Sequence, residues 1–158
     1  MEKNKEIKII DCFDGEYAFL SNFHPSQIRI NCITYPTIEH AFQAAKTMDF
    51  DIRNEIAAAS TPGIAKRMGR KVALREDWEE VKDIIMKNLI HEKFKDKELA
   101  KQLLATGDAE LIEGTTWHDN YWGNCTCEKC KNIEGKNMLG KILMQEREYL
   151  KKPHVFKN

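Results

Sequence analysis

The sequence has no net charge: 25 lysines and arginines offset 25 aspartates and glutamates in 158 residues. Coating duplex DNA without sequence preference needs a basic excess, so composition gives that class no support, although it leaves room for a local basic patch. No stretch approaches 18 consecutive apolar residues, which argues against a transmembrane helix. The opening residues Met1–Glu6 have no apolar segment behind them, so no secretory signal is read there and a cytoplasmic location is expected. The cysteines do not form an even, dispersed set. There are five, and Cys125, Cys127 and Cys130 crowd into six residues. That pattern fits reduced thiols or a metal site better than a secreted disulfide framework. There is no internal repeat and no low-complexity segment. What is present is ordinary for a soluble globular protein, 42% hydrophobic and 32% charged, and the length suits one domain with a small insertion.

The pattern along the chain predicts an α+β class, mostly helical, with a small antiparallel sheet. A short β-type run is expected at Ile7–Ile10. A hairpin is expected with Gln27–Ile30 and Ile33–Tyr35 as strands and Asn31-Cys32 as the turn. Thr37 is placed to cap a helix over 38–48, only partially, because His40 stands where a capping box would have Glu. Further helices are expected at 51–59, from Pro62 after Thr61, from about Glu76 to Phe94, at 96–105 and at 139–151. Leu111–Glu113 reads as a strand, and 114–136 as loop.

Three segments carry chemistry-bearing residues. In the helix after Pro36, Glu39, Gln43 and Lys46 are spaced by four and three residues, which returns them to one face beside Phe42. That face is either a solvated surface with a helix ion pair or a reactive carboxylate–amide–amine set. His40, on another side, reads as structural. The run Ala65–Arg75 has five cations in eleven residues, with Gly69 permitting a tight turn. It is the obvious anion site of a neutral protein, or else a solvated helix end. The stretch Gly114–Gly123 holds Trp117, His118, Asp119, Tyr121 and Trp122 between glycines. Its aromatics either plug the core or stack on a base, while a carboxylate among them needs a partner. Directly after it, Cys125-x-Cys127-x-x-Cys130 suits three corners of a zinc tetrahedron. His118, Cys12 and Cys32 are candidates for the fourth. Three reduced cysteines in a surface insertion are the competing reading.

Taken in order, five blocks resemble the YbiA-like, or NADAR, family. They are Glu16–Phe23, Tyr35–Lys46, Gly69–Trp78, Thr106–Glu113 with Asp119, Trp122 and Gly123, and Asn137–Met144 with Arg147. The resemblance implies the YbiA-like fold as a single domain over 1–158. A cysteine-rich insertion at about 124–135 lies outside the minimal family pattern. It also implies an N-glycosidase that cleaves the bond between ribose and an amine. The implied substrate classes are phosphoribosylamino-pyrimidine intermediates of riboflavin synthesis and ADP-ribose attached to guanine. The partner would then be a ribosylated base or an ADP-ribosylated nucleic acid, with no membrane and no obligate protein partner.

Cleaving a ribosyl C–N bond builds positive charge on the sugar and requires a proton on the leaving nitrogen. Glu39 is expected to transfer that proton and Asp119 to position ribose or water. Lys46 either forms a Schiff base with ring-opened ribose, which needs a neutral amine, or acts as an electrostatic clamp. Arg70 and Arg75 are expected to hold phosphate. Phe19, Asn22, Phe42, Gln43, Trp117 and Trp122 complete the expected substrate contacts. No cofactor is required for this chemistry, so a zinc on the cysteines would be structural. Two other readings compete. One is a non-catalytic module that binds ADP-ribose or an NAD derivative, which has no use for the carboxylate–lysine face. The other is a small zinc-bearing nucleic-acid binder built on 117–135, which the neutral charge disfavours.

Overall fold

The computed structural model describes residues 5–153, so the extreme terminal residues, including Met1–Asn4 of the opening segment, lie outside the described residues. The chain forms two compact units. One is Ser21–Asp96; the other joins the segment up to Leu20 with the segment from Lys97 onward.

Strand β1 (Ile9–Ile10) belongs to the second of these units; in the Ser21–Asp96 unit the strands are β2 (Ile28–Ile30) and β3 (Ile33–Tyr35). They pair antiparallel, with Ile30 opposite Ile33. The expected turn residues Asn31 and Cys32 both adopt positive φ, 51° and 64°, as a two-residue hairpin of the I′ kind requires. Four helices follow: α1 (Ile38–Ala44), α2 (Phe50–Ala57), α3 (Pro62–Gly69) and α4 (Trp78–Lys93).

Thr37 caps α1 by accepting the His40 N–H. The position of the missing capping-box Glu is used differently. His40 Nδ1 lies 2.8 Å from the Thr37 hydroxyl and Nε2 lies 2.9 Å from the Ala59 carbonyl. A carbonyl can only accept, so Nε2 carries the proton and Nδ1 accepts from Thr37. His40 is therefore a buried structural bridge, as its place off the reactive face suggested. The helix stops at Ala44, not at 48. Its end closes locally, with Lys46 N–H on Gln43 O at 3.2 Å and Thr47 N–H on Ala44 O at 3.3 Å, while the next two carbonyls are taken from elsewhere: Arg75 N–H donates to Lys46 O at 2.8 Å, and Arg53 Nε donates to Thr47 O at 2.8 Å. Asp49 then caps α2, accepting from the N–H groups of Asp51 and Ile52. Thr61 caps α3 through Ile64 N–H, with Pro62 at the first helical position, as the sequence predicted.

In the second unit, β1 pairs parallel with β4 (Glu110–Leu111), and β5 (Gly114–Thr115) pairs parallel with β6 (Asn124–Cys125). The expected antiparallel sheet is thus the β2–β3 hairpin of the Ser21–Asp96 unit, and this second unit has two short parallel pairs. Helices α5 (Lys97–Ala105) and α6 (Met138–Lys151) pack on each other, and α6 also packs on β4. Arg147, from the last family block, is 4% exposed and donates to Thr106 Oγ1 and Ala109 O, both at 2.8 Å. It closes the turn after α5.

Candidate active site

The face predicted on α1 is present, but it is buried. Glu39 is 7% and Gln43 5% exposed, and Lys46 is half-buried in the turn after the helix. The solvated-surface reading fails for that reason: an exposed ion pair does not leave a carboxylate this dry. Gln43 Nε2 donates to Glu39 Oε1 at 2.7 Å, while Gln43 Oε1 is buried with no hydrogen-bond partner.

Helix α3 lies close against this face. A Cβ at Gly69 would come within 1.9 Å of Gln43 Oε1 and 2.8 Å of Gln43 Cβ. Gly69 is needed for this close approach and not, as its sequence context suggested, for a turn. The cations of α3 and its end therefore act on α1. Burial raises the Glu39 carboxyl above its ordinary range. The Gln43 hydrogen bond and the charges of Lys66 and Lys46 pull it back without cancelling the shift. Burial lowers the Lys46 ammonium; Glu39 opposes this, and Arg70 and Lys66 reinforce it. The acid is pushed toward holding its proton and the amine toward releasing one. Lys66 did not stand out from its run in the sequence, because only the α1–α3 packing gives it a special position.

The loop before the hairpin completes this side. Asn22 O accepts the Glu39 N–H at 3.1 Å, satisfying a helix-start donor, and Lys93 Nζ donates to Ser21 O at 2.9 Å. Asn22 Nδ2 lies 3.7 Å from Met86 Sδ, and Asn22 Oδ1 is buried without a partner. Two acceptor oxygens, on Asn22 and Gln43, are thus withdrawn from water and unmatched, which is costly unless something supplies donors.

Several predicted contacts sit differently. Phe42 is 5% exposed and packs against Trp78, with ring centroids 5.1 Å apart, so its ring serves the core and is not presented to a base. Phe19, also 5% exposed, is likewise buried. Arg75 is not a free phosphate fork. Its Nε and Nη2 bind the Asp77 carboxylate at 2.6 and 3.0 Å. Arg70 is exposed at the end of α3. A separate pocket of ≈ 460 Å³ lined by Ala41, Ala45, Arg29 and Arg53 opens on the far face of α1, away from Glu39 by helical angle.

In the second unit, Asp119 Oδ1 accepts the N–H groups of Tyr121 and Trp122 at 3.1 and 2.9 Å, and Asp119 O accepts from Thr115 Oγ1. These are the partners a carboxylate in this loop needed. Trp117 is 53% exposed, whereas Trp122 is half-buried and edge-on to Tyr121. Of the three candidates for a fourth metal ligand, the fold selects His118: its ligand atom and the sulfurs of Cys125, Cys127 and Cys130 all lie within 4.8 Å of one another. Cys12 and Cys32 are exposed and free. Burial pushes the Cys125 thiol up, but hydrogen bonds from Cys127, the His118 N–H and Cys130 outweigh it and bring the thiol down to about 6. This His/Cys₃ set is suited to hold a metal.

The chain is similar to proteins already known. The NADAR domain profile matches residues 11–151, across both units. N-glycosidase YbiA of Shigella flexneri is 43% identical over 138 residues, 85% of this chain and 82% of that protein. A riboflavin biosynthesis protein of Vibrio vulnificus is 36% identical over 140 residues, 87% of this chain but 36% of that longer protein. The NMR structure of the Escherichia coli protein YbiA superposes with a TM-score of 0.76 at 38% identity, covering 94% of this chain and 91% of that one. With a profile that spans most of the chain and a relative of this identity and coverage, the chain belongs to the NADAR domain family.

Proposed function

We propose that this chain hydrolyses the N-glycosidic bond between a (phospho)ribose or ADP-ribose and an amine-bearing base. The general class, a hydrolase acting on N-glycosyl compounds, follows from the N-glycosidase that shares 43% identity across 85% of the chain. The observation that carries the finer reading is the Glu39–Lys46 pair. A buried carboxyl raised in pKa stands with an amine lowered in pKa, and environments that perturb an acid and a base in this way mark proton-transfer sites.

In the reaction, the ribose C1–N bond breaks and water oxygen bonds to C1. The leaving nitrogen takes its proton from Glu39, and the proton lost by water returns to that carboxylate. Lys46 has two roles open to it. As a neutral amine it adds to C1 of the ring-opened sugar, expels the base amine and forms an imine that water then hydrolyses. As an ammonium it stabilises the glutamate left after proton donation. Arg70 takes phosphate oxygens, the orphaned Asn22 and Gln43 oxygens accept from substrate N–H or O–H groups, and Trp117 stacks on the base. Asp119 is assigned to ribose or water positioning through its place in the family block. The reaction uses no cofactor; a zinc on the His/Cys₃ set is structural.

The test is turnover of two substrates side by side: DNA carrying ADP-ribosylated guanine, and the phosphoribosylamino-pyrimidines of riboflavin synthesis, suggested by the Vibrio vulnificus relative. Release of a free reducing sugar from either supports hydrolysis and names the class. Tight binding of ADP-ribose with no release from any substrate would instead favour a non-catalytic binding module.

A further inference from the structure

We propose that His118 Nδ1 and the sulfurs of Cys125, Cys127 and Cys130 bind one Zn²⁺ in a closed structural site, and that this ion holds the segment presenting Trp117 and Asp119. Four soft or borderline ligands with no carboxylate among them are the donor set of structural zinc. A tetrahedral ion with Zn–S about 2.3 Å and Zn–N about 2.0–2.1 Å sets its ligand atoms about 3.5–3.8 Å apart. Here His118 Nδ1 lies 3.3 Å from Cys127 Sγ and 3.4 Å from Cys130 Sγ, and all four ligand atoms fall within 4.8 Å. Binding needs only a small adjustment of side chains already gathered.

The backbone is arranged for this gathering. The β5–β6 pairing sets Thr115 opposite Cys125, which closes the loop between them and brings His118 back to the cysteines. His118 itself takes φ +66°, a left-handed conformation that a β-carbon disfavours, and its N–H points at Cys125 Sγ at 3.3 Å. Asn120 Oδ1 accepts the Cys125 N–H at 2.9 Å, and the Cys130 N–H bonds to Cys127 O at 3.0 Å in a tight turn. A sulfur that receives an N–H, as Cys125 Sγ does from His118, is what a metal-bound thiolate needs, since outer hydrogen bonds orient and stabilise it. On binding, each thiol gives its proton to solvent and its sulfur lone pair to the ion; no redox step is involved.

His118 sits between Trp117 and Asp119 in the chain, so anchoring it at the metal restricts both neighbours. This second part rests on the substrate-positioning role assigned to Asp119 above; the metal site does not. Full-length protein purified under reducing conditions without chelator is expected to carry one zinc per chain by elemental analysis. Cobalt substitution is expected to give the thiolate charge-transfer and tetrahedral d–d bands. Cys127→Ser, at the half-exposed ligand, is expected to lose at least four-fifths of the metal while keeping the wild-type far-ultraviolet circular dichroism. A mercurial that titrates the thiols of the wild-type protein supplies the same readout without a variant. Metal-free protein that takes up no zinc, or full zinc content in both Cys127→Ser and His118→Ala, overturns the site. Loss of zinc is further expected to lower kcat at least tenfold with a smaller change in KM. Unchanged kcat after verified zinc loss overturns the positioning role alone, and zinc content is read whether or not any substrate turns over.

Discussion

Residues 38–46 and residues 114–137 both carry reactive side chains, and different forces hold them. The first segment is a regular helix to Ala44, with Lys46 in the turn that follows. Its reactive face recurs with the helical period, and its special environment comes from burial under α3. The second has almost no regular structure. Its positions are set one at a time by Asp119 on two backbone N–H groups, Asn124 on Gly135 N–H, Asn137 on Glu113 N–H and Leu111 O, and the cysteines around His118. In the helix, changing a reactive side chain alters chemistry more than fold. In the loop, the same polar groups that position the chemistry also hold the chain, so a change there affects both.

The sharpest way to break this contrast is Glu39→Gln. Turnover is expected to fall by about 10²–10⁴-fold, the range for losing a general acid or base. Stability should not fall. Below the ordinary carboxylate range Glu39 is protonated in both folded and unfolded chains. As pH rises through that range the unfolded chain loses its proton first, because the folded pKa is raised, so Glu39 costs the wild type stability with increasing pH. Denaturant melts from about pH 4 to about pH 8 should therefore show the variant gaining on the wild type. Near-wild-type rates would remove Glu39 from the mechanism.

Lys46→Arg comes next. Arginine keeps the charge but does not form an imine at neutral pH. If Lys46 acts covalently, nearly all activity goes, and borohydride added during turnover traps a ribosyl adduct that peptide mapping places on Lys46. If it acts as a clamp, much of the activity survives and no adduct appears. Burial lowers the Lys46 pKa, which supports the covalent role, while nearby Glu39 works against it.

The two glycines bear directly on the comparison. A Cβ at Gly123 meets the Glu113 carbonyl at 2.3 Å, a backbone atom that cannot step aside. Gly123→Ala should cost about 1–3 kcal/mol, measured by denaturant titration. A Cβ at Gly69 meets first the amide end of Gln43 and then, at 2.8 Å, its Cβ, so the two helices must also part slightly. Gly69→Ala should displace that side chain, raising KM by more than its loss of stability would suggest. Equal stability losses with unchanged KM would erase the distinction between the two regions.

The smallest effect separates two arginines. Arg70→Ala should weaken phosphorylated substrates relative to their dephosphorylated forms by about 1.5–3 kcal/mol, as for a lost charge-assisted hydrogen bond. Arg75→Ala should discriminate less, because Asp77 already occupies its guanidinium. KM values for the two substrate forms decide it, and a larger effect at Arg75 would mean that Asp77 releases it on binding.

The starts of the first three helices were legible because each has a local cause. Thr37, Asp49 and Thr61 cap through side-chain oxygens, and Pro62 starts a helix where its missing N–H costs nothing. The end of α1 was not, since Arg53 and the Arg75 N–H hold the Thr47 and Lys46 carbonyls in the segment just after it, and only the fold brings those donors there. The same holds for the parallel pairs β1–β4 and β5–β6. Strands of two residues leave no period to read, and β1 and β4 are also far apart along the chain.

By itself the sequence determined which residues share the α1 face, where the hairpin turns, and that the ordered blocks resemble the NADAR family. These depend on spacing and on residue type, which are local properties. Tertiary structure alone decided that the Glu39 face is dry, that Phe42 belongs to the core, that Arg75 is engaged by Asp77, and that His118 rather than Cys12 or Cys32 joins the cysteines. Burial and the choice of partner depend on which distant segments arrive at a residue, and the chain settles that only by folding.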